Sequence, residues 1–76
     1  MANCKITYCG SWNYRPRAAS LAEDLKKEFG FDIELVQSSG GIFDVEYGGK
    51  IIFSKKEVGR FPDLGEVPKI IKKIQD

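Results

Sequence analysis

The feature that most restricts this chain is the order of patterns around Tyr8-Cys9-Gly10-Ser11-Trp12-Asn13-Tyr14-Arg15-Pro16-Arg17. Ahead of that stretch, Cys4, Ile6 and Tyr8 alternate with Lys5 and Thr7, the period of a half-buried strand. Gly10 and Asn13 mark a loop. Pro16 suits the first turn of a helix, where a missing N–H costs nothing. Ala18, Leu21, Ala22, Leu25 and Phe29 then recur at helical spacing, with Glu23, Asp24, Lys26 and Lys27 on the outer side and Gly30 as the stop. Glu23 and Lys27 stand in the favourable order for a helical ion pair. Alternation resumes with Phe31, Ile33 and Leu35 predicted inward, Asp32 and Glu34 outward. A strand, helix and strand in this order predict two parallel strands joined by a right-handed crossover.

The rest of the chain adds a hairpin and a second helix. Gln37 to Gly41 is a turn by composition. Phe43, Val45 and Tyr47 alternate with Asp44 and Glu46, and Gly48-Gly49 separates them from the strand-like run Lys50 to Ser54. Lys55 to Pro62 is predicted as a charged loop. Val67, Ile70, Ile71 and Ile74 form the last helical stripe, with Lys69, Lys72 and Lys73 outside. Asp63 and Glu66 resemble a capping box, and Pro68 implies an irregular first turn with the regular helix beginning near Glu66. The predicted order is β-α-β-β-β-α. Because Lys5, Thr7, Asp32, Glu34, Asp44 and Glu46 give the sheet one wet face, both helices must cover the other. The expected fold is thus a two-layer α/β sandwich, a four-stranded mixed sheet in a single domain spanning residues 1–76. Its core is small, since a 76-residue chain buries only about 60–65% of its unfolded surface.

Composition removes several functional classes. The net charge is +1, which offers no global field for nucleic acid or anionic lipid. The lysine clusters at Lys50, Lys55, Lys56 and Arg60, and at Lys69, Lys72 and Lys73, read as solvated faces, and no nucleic-acid partner is expected. No apolar run approaches a membrane span, and Met-Ala-Asn-Cys-Lys has no signal-peptide character. Two cysteines do not make a secreted disulfide scaffold, so a cytoplasmic, reducing setting is expected. The chain has no histidine, which excludes a Cys–His nucleophile pair and His-containing metal sites; no metal or cofactor is expected.

Attention therefore falls on Cys9. It stands at a strand-to-helix junction, where the positive end of the helix and the nearby Arg15 and Arg17 would stabilise a thiolate. An unperturbed thiol, with a pKa of about 8.5, is only a few per cent ionised at pH 7, so a fall of about one unit makes it substantially reactive. The alternative is a cysteine retained for packing. Cys4 reads as a small buried hydrophobe. If the strand persists, Cys4 and Cys9 point to opposite faces about 16 Å apart at ~3.3 Å per residue. A disulfide needs less than about 7 Å.

Taken together, Tyr8-Cys9-Gly10, Tyr14-Arg15-Pro16, Gly40-Gly41-Ile42-Phe43-Asp44-Val45, Gly49-Lys50-Ile51-Ile52-Phe53-Ser54-Lys55-Lys56 and Gly59-Arg60-Phe61-Pro62-Asp63 resemble the thioredoxin-like Rdx family. That family comprises the selenoproteins W, T and H and their cysteine-containing bacterial relatives. The resemblance covers nearly the whole chain. It implies a minimal thioredoxin fold and thiol–disulfide oxidoreductase or redox-sensor activity, with glutathione or protein thiols as partners. The family's first redox cysteine corresponds to Cys9, and its second redox position to Trp12, so the motif here is Cys9-Gly10-Ser11-Trp12.

An indole does no redox chemistry, so dithiol chemistry gives way to a single thiol. Cys9 would form a mixed disulfide, or a glutathione adduct that a second glutathione releases. Gly10 would permit a sharp exit from the strand, and Arg15 and Arg17 could hold a glutathione carboxylate. The backbone of Gly41 and Ile42 could pair with an extended peptide. The runner-up is a redox-inactive interaction module. In it Trp12, with Tyr14 and Phe61, contacts a protein partner; otherwise Trp12 folds back onto Phe61-Pro62. The polar sheet face favours a monomer or a weak edge-strand dimer.

Overall fold

The computed structural model describes residues 2–11 and 13–75; Met1, Trp12 and Asp76 lie outside the described residues. Strand β1 (Cys4–Cys9) leads into helix α1 (Arg15–Phe29) and strand β2 (Ile33–Ser38). Strands β3 (Phe43–Tyr47) and β4 (Lys50–Ser54) follow, then a single helical turn, α2 (Lys55–Val58), and helix α3 (Glu66–Gln75). The sheet order is β2-β1-β3-β4. β1 is parallel to β2, as the helical crossover requires, and antiparallel to β3, while β3 and β4 pair antiparallel, as their hairpin requires. Gly48 and Gly49 both adopt left-handed φ, 59° and 84°, the backbone that a tight hairpin turn of right-handed twist demands.

The core lies on one face of the sheet. Cys4, Ile6 and Tyr8 of β1, Phe43 and Val45 of β3 and Phe53 of β4 are buried there against Ala18, Ala22 and Leu25 of α1 and Val67 and Ile71 of α3. Both longer helices therefore cover the same face, and the sandwich has two layers. The apolar stripe of α1 is the one that the helical spacing picks out. At its N-terminal end Pro16 occupies the first turn, and at the other the N–H of Gly30 bonds to the Lys26 carbonyl at 2.9 Å. The Glu23–Lys27 pair is present at 3.9 Å but exposed on both sides, and so contributes little.

Two expectations are corrected. Leu35 is 40% exposed rather than inward. It pairs with Ile6 and so faces the helix side, but it belongs to β2, an edge strand with a neighbour on one side only. Lys55 to Pro62 is not wholly loop: its first four residues form α2, closed by a bond from Gly59 N–H to the Lys55 carbonyl at 2.7 Å.

The approach to α3 is held by a local network. The Glu66 carboxylate accepts from the Asp63 N–H at 2.8 Å, one half of the predicted capping box. It also receives a bidentate fork from Arg60, at 2.7 and 3.0 Å. Pro68 is buried within the first turn of α3, where an N–H would have no intrahelical acceptor. Lys72 ties α3 to α1 through Glu28 at 2.6 Å.

Leu25 and Ile71 are fully buried. Replacing either with alanine should cost about 2–5 kcal/mol, a large share of the roughly 5–15 kcal/mol available to a small domain; chemical denaturation measures it. The Arg60 fork, then the Asp63 N–H, lowers the Glu66 pKa from 4.5 to about 2. A lowered carboxyl pKa means that its stabilisation is present above pH 4.5 and is lost as pH falls toward 2. Glu66→Gln should therefore be less stable at neutral pH and flatten the acid limb of the stability profile in that window. An unchanged acid limb would show that the fork does not persist in solution.

Candidate functional site

Cys9 is the last residue of β1, at the carboxyl end of a central strand. Register places it beside Ser38 of β2, and its N–H donates to the Ile42 carbonyl at 2.8 Å, extending the ladder toward β3. The next residue continues the chain of bonds, with Gly10 N–H to the Ser38 carbonyl at 2.9 Å. A residue bonded along both strand edges is held in place at the mouth of the loop. By alternation Cys9 points away from Cys4, Ile6 and Tyr8, and it is not among the residues of the helix-covered core.

Its accessibility differs from expectation. Cys9 is 1% exposed, so the partly exposed loop thiol is corrected to a buried one. β1 continues through residue 9, so Cys9 belongs to the strand and not to the loop. Cys4 is 2% exposed and sits in the core as a small apolar side chain. Burial raises its pKa from 9.0 to about 11, which keeps the thiol protonated. Both cysteines are thiols.

Gly10 has a more specific role than a free exit from the strand. Its φ lies outside the left-handed region, and a Cβ there would overlap the side chain of Gln37. Any side chain at residue 10 would require the exposed Gln37 side chain, at the end of β2, to move aside. Gln37 and Ser38, expected to open a turn, are corrected to the last residues of β2, and the parallel register pairs Gln37 with Tyr8.

The remaining predicted residues divide. Gly10, Ser11 and Asn13 are exposed in the loop, and Pro16 opens α1, whose first turn contains no acidic residue. Arg15 is exposed and forms no ion pair among the described residues. Arg17 does not extend toward solvent alone: its guanidinium lies 4.2 Å from the centre of the Phe61 ring. Phe61 meets Tyr14 edge-on at 4.7 Å and Phe43 at 5.2 Å, so Tyr14 and Phe61 are brought together, half-buried. Trp12, and with it the readings of fold-back or interface anchor, lies outside the described residues. The Gly41–Ile42 proposal is corrected in part, since the Ile42 carbonyl already accepts from Cys9 and is committed to the sheet. Two further groups escaped sequence reasoning. Lys55 approaches the Phe61 ring at 5.4 Å, and Asp44 Oδ1, on the polar face opposite Thr7, is buried without a hydrogen bond among the described residues. Among the described residues no group of three or more His, Cys, Asp or Glu side chains could hold a metal ion.

Comparison with known proteins agrees with this arrangement. The model of the Rdx family matches residues 3–73. Zebrafish (Danio rerio) selenoprotein W is 36% identical over 62 residues, covering 76% of this chain and 72% of that protein. Chicken (Gallus gallus) selenoprotein W is 31% identical over 75 residues, covering 92% and 88%. Mouse (Mus musculus) migration and invasion enhancer 1 is 34% identical over 58 residues, covering 75% of this chain but only 50% of its own length. Among solved structures, a selenoprotein W-related protein from Vibrio cholerae superposes with a TM-score of 0.84 at 29% identity, covering 99% of this chain and 98% of that one. A protein from Bordetella parapertussis gives 0.87 at 26%, covering 95% of each chain.

The raised Cys4 pKa yields a direct test. The preference of the fold for the protonated thiol is complete below pH 9.0 and is lost as pH rises through about 11. In a Cys9→Ser background, Cys4 should resist iodoacetamide at pH 8 until denaturant is added. Labelling at the rate of an unfolded thiol would show that the start of β1 opens.

Proposed function

The chain belongs to the Rdx family, related to selenoprotein W and thioredoxin-like in fold, and we propose that it is a thiol-based redox protein working through Cys9 alone. The observation that carries this reading is the position of Cys9, at the carboxyl end of a central strand where the chain turns into a proline-opened helix without an acidic first turn. Anionic groups are favoured near such a helix end.

In the proposed cycle the Cys9 thiolate attacks one sulfur of a disulfide. One S–S bond forms to Cys9, the original S–S bond breaks, and the other sulfur leaves as a thiolate. A second thiolate, from glutathione or a protein, then attacks the mixed disulfide and releases Cys9. Electron pairs are exchanged between sulfurs, and no resident cofactor enters. With Cys9 1% exposed, the thiol must first be uncovered by local opening, so the observed rate is gated by that opening. Arg15, exposed at the start of α1, is the cation available to a glutathione carboxylate. No described helix is long and apolar enough to cross a membrane, and the proposed chemistry fits a reducing compartment such as the cytoplasm. A monomer suffices for it.

The burial of Cys9 favours a second reading, an interaction module in which the surface around Phe61 and Trp12 binds a partner without thiol exchange.

The experiment is the pH dependence of Cys9 alkylation in a Cys4→Ala background, with incubation in oxidised glutathione followed by intact-mass measurement. The redox reading expects alkylation to titrate clearly below pH ~8.5 and one glutathionyl group to add, lost on reduction and absent in Cys9→Ser. Labelling only in denaturant would reject it. Under the second reading Trp12→Ala abolishes partner binding while Cys9→Ser leaves it intact.

A further inference from the structure

A groove runs between α1 and the segment that enters α3, with a cavity of about 380 Å³, enough for a short peptide segment. Arg17, Ser20, Leu21 and Asp24 line one wall. Their spacing, i, i+3, i+4 and i+7, places them on a single face of α1. All three prolines of the chain, Pro16, Pro62 and Pro68, line the groove as well, so its walls lose little freedom when something binds. Leu64 stands on the rim with 97% of its surface exposed, a large apolar side chain with almost nothing packed on it.

The charges in the groove are separated by sign. At the loop end, Arg17 stacks over Phe61 at 4.2 Å, and Lys55, outside the groove lining, stands 5.4 Å from the same ring. Stacking uses the flat face of the guanidinium and leaves its N–H edge for a carboxylate. At the far end is Asp24, about 10 Å along the helix axis from Arg17 at 1.5 Å per residue. Among the described residues none of Arg17, Lys55 and Asp24 has an ion-pair partner, whereas Asp63, also in the lining, is 3.7 Å from Arg60. Between Arg17 and Asp24 along α1 stand Ser20 and Leu21, and the lining also includes Pro62, Leu64 and Pro68 beside Asp63.

We propose that this groove docks an extended peptide in which an acidic and a basic residue flank two aliphatic ones. The acidic side chain pairs with Arg17, the basic one with Asp24, and the aliphatic pair packs against Leu21, Pro62 and Leu64. Three residue spacings of extended chain cover about 10 Å at ~3.3 Å each, which matches the separation of the two charges. The groove lies on the helix-covered side, with Phe43, opposite Tyr8, and Phe61, packed on Tyr14, in its lining, whereas Cys9 points by alternation to the other sheet face. Binding here needs no thiol, so the inference goes beyond the redox reading and does not rest on it.

The test uses fluorescein-labelled acetyl-Glu-Leu-Val-Lys-amide and its reversed sequence, titrated by fluorescence anisotropy against the full chain and against Cys9→Ser. At least one peptide should bind saturably, and equally well to both proteins. Arg17→Glu should weaken that binding about tenfold or more, the scale of a charged hydrogen bond. Replacing the peptide's Glu with Lys should restore it in that variant. Leu64→Ser, at a position too exposed to affect folding, should weaken binding without altering the circular dichroism. The proposal is overturned by no saturable binding, or by a neutral Gln-Leu-Val-Gln peptide binding as tightly. Equal affinity in Arg17→Glu also overturns it. If peptide binds as expected while Cys9 forms no mixed disulfide, the groove stands and the redox reading falls.

Discussion

The arrangement depends on β1 being hydrogen-bonded along both edges. Parallel pairing with β2 and antiparallel pairing with β3 make it the axis of the sheet, and both ladders persist to its last residue. The helix-covered face of β1 supplies Cys4, Ile6 and Tyr8 to the core, and its end delivers Cys9 to the loop. Loss of either ladder would free the strand end and remove the geometry of the site together with part of the core.

One strand thus gives two thiols different environments. Cys4 is enclosed by apolar side chains, which penalises the thiolate and raises its pKa to about 11. Cys9 is equally buried but lies outside that cluster, at the carboxyl end of the strand where the chain leaves the sheet.

The entrance to α3 couples stability to the surface beside the loop. The fork from Arg60 to Glu66, with the Asp63 N–H, fixes the segment that carries Phe61. Phe61 in turn seats Tyr14 and Arg17. A charged cluster that looks in sequence like a solvated loop is thus the support for an aromatic platform at the start of α1.

The period of two in β1 and β3, the helical stripe from Ala18 to Phe29, and Pro16 ahead of that stripe were enough to determine the element order, the parallel crossover and the wet sheet face. Each is a local pattern that solvent exposure alone enforces. Sequence also singled out Cys9, Tyr14 and Phe61, through a loop signature and the family resemblance. Leu35 misled because alternation reports which face a side chain points to, and only the sheet order shows that its strand lies at an edge. The clash that Gln37 imposes on Gly10, the Arg17–Phe61 stack and the burial of Cys9 join segments far apart in the chain. Sequence by itself determined which surfaces must be buried and which residues could do chemistry. Tertiary structure alone decided which of those residues meet, because long-range register and helix docking have no local signature.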